Sequence, residues 1–227
     1  MWSCLAEEVF SFPAYLTLKV CLACLGLHIL VGLPLAWFLS GPKNPARRLL
    51  AFLVTLPLVF PPVALGFILL MLLGRNGPLG APLESWFGVR LVFSQLGVIL
   101  AAFIAGLPLL IRPLEASFRR EEIKRLNQAA RTLGCGPAKA FLLVTVPQAA
   151  PVLASGLLLA LARASGEVGI TMMLGGNIIG RSNTLSLEIF NSVSHGEFDR
   201  AMYLCAILAV AGLIFYLILE KVTPPGS

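Results

Sequence analysis

The sequence predicts an all-α membrane protein with about five transmembrane helices. Hydrophobic residues make up 58% of the 227-residue chain and charged residues only 12%, whereas soluble domains carry about 25% charged residues. Several apolar runs reach the roughly 20 residues that a helix needs to cross the hydrocarbon core of a bilayer. The alternating pattern of an outer-membrane barrel is absent from the sequence. We therefore expect one polytopic helical domain over residues 1–227.

Five apolar runs account for the expected spans, and they cover about residues 15–40, 49–73, 91–111, 151–174 and 201–219. The second run contains Pro57, Pro61 and Pro62. Proline removes a backbone donor, which is tolerated at membrane depth only where protein or a water-lined cavity satisfies the freed carbonyl groups. Two interpretations of Pro61 and Pro62 stay open, a structural kink or a break that lines a pathway.

The charges of the connecting segments alternate along the chain. Most basic residues lie in the first and third connections and near the C-terminus, namely Lys43, Arg47, Arg48, Arg112, Arg119, Arg120, Lys124, Arg125, Arg131, Lys139 and Lys221. The positive-inside rule then places the N-terminus outside and both the 112–148 segment and the C-terminus in the cytoplasm. Because these charges serve topology, the net charge of +6 does not indicate nucleic-acid binding.

The 112–148 segment is the most distinctive polar stretch. Gln128, Ala129 and Ala130 favour a helix, and Gly134 permits a sharp turn after it. Leu133 and Phe141 offer apolar contacts, and Pro147 opens the next apolar run. A mere linker needs no apolar face, so we expect another protein to dock here.

These residues resemble the EAA loop of ABC-importer permeases. That motif is usually Glu-Ala-Ala, three residues, glycine, and later Leu-Pro; Gln128 and Val146 stand here in place of the glutamate and the leucine. Four further stretches are similar to the molybdate-type group of permeases, namely 56–62, 74–80, 162–169, and 176–180 together with 183–187. The likeness therefore covers nearly the whole chain from Tyr15.

The resemblance implies a type I importer fold in the cell (inner or plasma) membrane that works as a homodimer. Two ATP-binding subunits would dock on the 112–148 coupling loops, and an external binding protein would deliver an oxyanion. Molybdate is the expected cargo, with tungstate and sulfate as alternatives. The sequence has no Gly-x-x-x-x-Gly-Lys-Ser/Thr motif, so ATP and Mg²⁺ would be held by the partner. We expect no catalytic residue, cofactor or metal in this chain.

A charged pair lies within the fourth apolar run. Arg163 and Glu167 are four residues apart and therefore share one helix face. Arg163 is about 18 Å along the helix from Pro151, near mid-membrane, where charges are costly. The pair is either a structural ion pair or, with Asn177, part of a gate. An ion-coupled secondary transporter could use the pair as a charge relay. That function would leave the 112–148 segment, which we call the docking segment, unexplained.

Overall fold

The computed structural model describes residues 2–42 and 44–222, and all regular secondary structure in these residues is helical. Lys43, which the topology prediction used, lies outside the described residues. Two short π-helical stretches interrupt the α-helices, at His28–Gly32 and Phe141–Thr145. The α-helices are α1 (Trp2–Leu27), α2 (Leu33–Ser40), α3 (Pro45–Val59), α4 (Pro62–Leu73), α5 (Gly80–Phe87), α6 (Gln95–Phe118), α7 (Glu121–Thr132), α8 (Pro137–Ala140), α9 (Val146–Gln148), α10 (Ala150–Ser165), α11 (Gly169–Gly175), α12 (Leu185–Ser194) and α13 (Phe198–Val222).

The predicted all-α polytopic class is confirmed. Three continuous helical stretches of the described chain are long and apolar enough to cross a membrane: Phe12–Ser40, Gln95–Phe118 and Phe198–Ile218. A fourth candidate consists of Pro137–Gln148 and Ala150–Ser165, which are bent by 76° relative to each other. Two of the five predicted spans, 49–73 and 151–174, are therefore not single helices.

Prolines explain the break in the second predicted span. Phe60 and Pro61 have extended backbone conformations, and Pro62 is the first residue of α4. Pro61 restricts Phe60 to that extended region, whereas Pro62 suits a first helical position, which needs no donor. The fourth span breaks at residues 166–168, between α10 and α11.

The third predicted span is longer than expected. It was placed at 91–111, but α6 begins at Gln95 and continues to Phe118 through Pro108 and Pro113. The first seven residues of the 112–148 segment therefore belong to a membrane helix. Both prolines are accommodated within a helix that packs against α1, α2, α3, α10 and α11.

Small residues allow α6 and α10 to pack in close contact. A Cβ placed on Gly106 would lie 2.7 Å from the carbonyl oxygen of Ala160, and one on Gly156 would lie 3.1 Å from a methyl group of Leu110. Helices in membranes associate largely through such close packing of small side chains. Gly106 and Gly156 thus set the distance between the two central helices.

The contacts place the connecting segments in two groups at opposite ends of α6. At its start, Gln95 accepts a hydrogen bond from Lys19 at 2.6 Å, and Phe93 donates to the carbonyl oxygen of Leu174 at 2.7 Å. At its end, Arg119 donates to the carbonyl oxygen of Leu39 at 2.8 Å. We call the second group, with residues 39–42, 44–48 and 112–148, the basic end. This grouping agrees with the one that the charge pattern predicts.

We predict that Gly106→Ala destabilises the protein by about 1–3 kcal/mol, since the added methyl group would force α6 and α10 apart. The matched control is Gly212→Ala on α13, where a Cβ would meet nothing within 4 Å. The measurement is the thermal unfolding midpoint of both variants in detergent. Equal midpoints for the two variants would contradict the close-packing role of Gly106.

Candidate functional site

Helix α7 lies against the rest of the basic end through one narrow face. Ile123 is only 5% exposed and belongs to the same apolar cluster as Phe118 and Phe141. One turn later, the amide of Asn127 donates to the hydroxyl oxygen of Thr145. An apolar contact and a hydrogen bond on successive turns fix the rotation of α7 about its own axis.

A face of α7 roughly a quarter turn from the buried one presents apolar side chains to the exterior. Leu126 is 44% exposed and Leu133, just after the helix, is 88% exposed. Ala129 lies between them on the same face and is also exposed, as is Gln128, whereas Ala130 is half-buried. Leu126, Ala129 and Leu133 follow the spacing of three and four residues that aligns side chains on a helix. This outward row fits the predicted docking surface.

Gly134 ends α7 in the conformation that the sequence predicts. Its φ of +85° lies in the left-handed region, which a residue with a Cβ adopts at a cost. Gly134 donates to the carbonyl oxygen of Arg131, and Cys135 donates to that of Ala130, both at 3.0 Å. These two bonds form a Schellman motif. The motif holds Leu133 at a fixed position at the tip of the helix.

Phe141 does not contribute to the exposed surface. It is 6% exposed, it stacks on Trp37 at 4.5 Å between ring centroids, and Phe118 meets it edge-on at 5.8 Å. The expectation that Phe141 offers a contact to a partner is therefore wrong. It anchors the 137–148 segment to α2 and α6 instead, which sequence reasoning could not tell from a docking role.

The chain after Phe141 bends sharply before it enters the membrane region. Pro147 is exposed and has no N–H for the carbonyl group four residues earlier. The preceding turn is a π-helix in which Val146 donates to the carbonyl oxygen of Phe141. The segments on either side of Ala149 are bent by 76°, so α10 runs in a different direction from the docking segment.

Arg163 and Glu167 form the predicted ion pair. The Nη1 of Arg163 lies 2.5 Å from the Oε2 of Glu167, and their side chains are 33% and 1% exposed respectively. The other carboxylate oxygen of Glu167 accepts a hydrogen bond from the backbone N–H of Ile170 at 2.8 Å. Glu167 therefore neutralises Arg163 and also caps the start of α11, so one side chain stabilises both sides of the helix break.

The breaks of the two interrupted spans meet each other. A Cβ on Gly169 would lie 2.8 Å from the Cβ of Pro62, and one on Gly66 would lie 3.0 Å from the Cα of Ile170. The structure therefore brings Pro62 close to the break that Glu167 stabilises. Pro61 and Pro62 are themselves exposed. The sequence alone did not indicate this contact, although glycines beside both breaks were a possible signal of close packing.

Asn177 lies apart from the ion pair. It follows α11, with a φ of +47°, and its side-chain amide donates to Asn191 of α12 at 2.5 Å. Asn191 returns a hydrogen bond at 3.2 Å. These bonds fix the loop at the end of the molecule opposite to α7. The structure therefore does not join Asn177 and Arg163 in one site.

Sequence comparison identifies the class of protein that carries these features. Residues 29–222 match the family of inner membrane components of binding-protein-dependent transport systems. The chain belongs to this family. Its relatives are permease subunits of ABC transporters, so it is a multi-pass cell-membrane transport component and not an enzyme.

Two relatives illustrate the similarity. The molybdenum transport system permease protein ModB of Escherichia coli K12 is 36% identical over 217 residues, which cover 93% of this chain and 94% of ModB. The sulfate transport system permease protein CysW of Synechocystis is 32% identical over 226 residues, which cover 96% of this chain and 80% of CysW. The two relatives differ in the cargo that their names state.

A solved structure has the same fold. A chain from the crystal structure of a bacterial alginate ABC transporter, in complex with an alginate pentasaccharide-bound periplasmic protein, superposes with a TM-score of 0.70. The alignment covers 93% of this chain and 77% of that chain, at 18% sequence identity. At that identity the likeness concerns the arrangement of helices alone.

We predict that Arg163→Ala destabilises the protein by about 3–5 kcal/mol, because the Glu167 carboxylate stays buried without its counter-charge. Arg163→Ala/Glu167→Gln should recover most of this loss, since a glutamine oxygen can still accept from Ile170. Arg163→Ala/Glu167→Ala should recover roughly 1 kcal/mol less, because that N–H then lacks an acceptor. The measurement is the unfolding midpoint in detergent.

Transport by the same variants separates the two interpretations of the pair. A glutamine double variant that is stable and transports at the native rate would exclude a gating role for the pair. A glutamine double variant as unstable as Arg163→Ala would show that the ion pair is not the contact that stabilises this break.

Proposed function

We propose that this chain is the membrane subunit of an ABC importer that moves a tetrahedral oxyanion, molybdate in particular, into the cytoplasm. The exposed apolar row on α7 carries this proposal. Leu126, Ala129 and Leu133 lie outside the core, on a helix whose other face is fixed by Ile123 and Asn127. A rigid helix with an apolar outer face can transmit force from a partner, whereas a mobile loop cannot.

The partner on α7 is an ATP-binding subunit. Family membership implies such a subunit and an external binding protein, and ATP and Mg²⁺ belong to the ATP-binding subunit. Each α7 takes one ATPase, and two copies of this chain form a homodimer with the pathway near its axis. The alternative role of α7 as a surface helix without a partner leaves the 88% exposure of Leu133 unexplained.

The basic end faces the cytoplasm in this proposal. It holds Arg47, Arg48, Arg112, Arg119 and most other basic residues of the connecting segments, and cytoplasmic loops carry an excess of lysine and arginine. The N-terminus is then outside and the C-terminus cytoplasmic. The binding protein docks at the opposite end, where Asn177 and Asn191 hold the loop between α11 and α12.

The two broken spans are the proposed moving part of the pathway. Pro61 and Pro62 are exposed and Pro62 packs against Gly169, just after the Glu167 cap. Broken helices at membrane depth are tolerated where they line a cavity or are covered by protein. An ion-coupled relay through Arg163 is less well supported, since Glu167 already pairs with it and is bonded to Ile170.

The identity of the cargo rests on similarity. The ModB relative at 36% identity favours molybdate, and the CysW relative at 32% keeps sulfate as an alternative. Tungstate has the same tetrahedral dianionic form and is a further alternative. The external binding protein contributes most of the selection among such similar anions, so the cargo is best tested with the assembled system.

We predict that Gly134→Val lowers both ATPase co-purification and transport about tenfold. Valine resists the positive φ at this position, so Leu133 would move from its place at the tip of α7. The control is Gly136→Val, since Gly136 has a φ of −65° and, like Gly134, nothing within 4 Å of an added Cβ. Full assembly and transport by Gly134→Val would contradict the coupling role.

We predict that proteoliposomes with the permease, its ATPase and its binding protein take up labelled molybdate when ATP is present. Tungstate should compete strongly, because its size and charge are nearly the same, and sulfate should compete weakly. The measurement is the uptake rate at equal concentrations of each competitor. Faster uptake of sulfate than of molybdate would contradict the proposed cargo while leaving the ABC-permease assignment intact.

A further inference from the structure

The basic end contains a cavity that the proposed transport function does not use. Its volume is about 730 Å³, within the range of about 300–1,000 Å³ typical of ligand pockets. It lies where the end of α2, the start of α3 and the end of α6 meet. Its lining includes the charged side chains of Arg47, Arg48, Arg112, Glu115 and Arg119.

The cavity carries an excess of positive charge. Four arginines and one glutamate line it, which gives a formal charge of +3. Glu115 is shared, with Arg112 at 3.1 Å and Arg119 at 2.9 Å. Among the residues whose side chains the structure describes (12–42, 44–218 and 220–221), neither Arg47 nor Arg48 has an acidic partner. These two arginines at the start of α3 therefore account for two of the three unbalanced charges, and Arg112 and Arg119, which share one glutamate, leave the third.

The guanidinium group of Arg47 is held in place, yet some of its hydrogen-bond donors stay unused. Its guanidinium lies 4.7 Å from the centre of the Phe38 ring, and Nη1 donates to the carbonyl oxygen of Pro42 at 2.5 Å. A Cβ on Gly41 would lie 2.8 Å from its Cζ, so a glycine there leaves room for the group. Its Nε is buried and has no hydrogen-bond acceptor among the residues that the structure describes. A guanidinium that is held in place and keeps unused donors is a group that a bound anion can satisfy.

The other wall of the cavity is also rigid. Arg112 donates to the hydroxyl oxygen of Thr55 and to the carbonyl oxygen of Ala51, the latter at 2.8 Å. Arg119 donates to the carbonyl oxygen of Leu39 at 2.8 Å. These bonds tie α6 to α2 and α3 and hold both guanidinium groups at the cavity. Arg112 and Arg119 therefore need little reorganisation to receive a ligand.

We propose that this cavity binds a tetrahedral oxyanion group, with Arg47 and Arg48 as its main donors. Guanidinium groups offer forked pairs of N–H donors that match phosphate-like oxygens. The group can come from the headgroup of an anionic phospholipid, since basic pockets between membrane helices bind such headgroups, or from a free anion. Because Arg119 is two residues before α7, the bound group would brace the helices at the base of the docking helix.

The test uses the full chain, purified and delipidated, in two arms with the same variants. In the first arm, inorganic phosphate is titrated in detergent at constant ionic strength, and the unfolding midpoint gives an affinity. In the second arm, native mass spectrometry counts the lipids retained from mixed micelles of phosphatidylglycerol and phosphatidylcholine. The variant is Arg48→Gln, whose exposed side chain makes no bond in the described structure, and the control is exposed Arg120→Gln, outside the cavity.

We expect saturable binding in at least one arm, weakened about fivefold by Arg48→Gln and unchanged by Arg120→Gln. Binding in the phosphate arm alone would identify a free anion as the ligand, and retention of phosphatidylglycerol alone would identify a lipid headgroup. The absence of saturable binding in both arms would overturn the proposal. Equal weakening of binding by the two variants would also overturn it, since binding would then depend on the total positive charge of the basic end and not on this cavity.

Discussion

The close contact between α6 and α10 is the constraint on which the other features depend. Gly106 and Gly156 allow it, because a side chain at Gly106 would meet the carbonyl oxygen of Ala160. Helix α6 continues from this contact to the basic end, where it is followed directly by α7. Helix α10 ends at the break that Glu167 caps. One helix pair therefore connects the docking segment with the interrupted membrane region.

The docking segment is attached to that pair by contacts that allow little independent movement. Phe141 is held between Trp37 and Phe118, and Asn127 is bonded to Thr145. Packed interfaces tend to shift as units rather than deform continuously. A displacement of the outer face of α7 would therefore move the ends of α2 and α6 with it, which is the behaviour that the proposed coupling requires.

Some of the charged side chains form stabilising ion pairs, whereas others have no acidic partner and can bind an anion. In the membrane region Glu167 neutralises Arg163, and at the end of α6 Glu115 is shared by Arg112 and Arg119. At the start of α3, Arg47 and Arg48 add positive charge without an acidic partner among the residues whose side chains the structure describes. Burying unpaired charge is costly, so this excess is located where solvent or an anionic group can reach it.

The sequence by itself determined the class and the local backbone breaks, and it predicts the alternating topology. Low charge and long apolar runs require a helical membrane protein, and Pro61, Pro62 and Gly134 act on their own backbone, so neighbours in sequence suffice to predict them. Only the tertiary structure decided that Phe141 points inward, that Pro62 meets Gly169, and that four arginines from α3 and the end of α6 surround one cavity. Those outcomes depend on which distant helix faces pack together, and an apolar or basic residue looks the same in sequence whether it meets a partner, lipid or its own core.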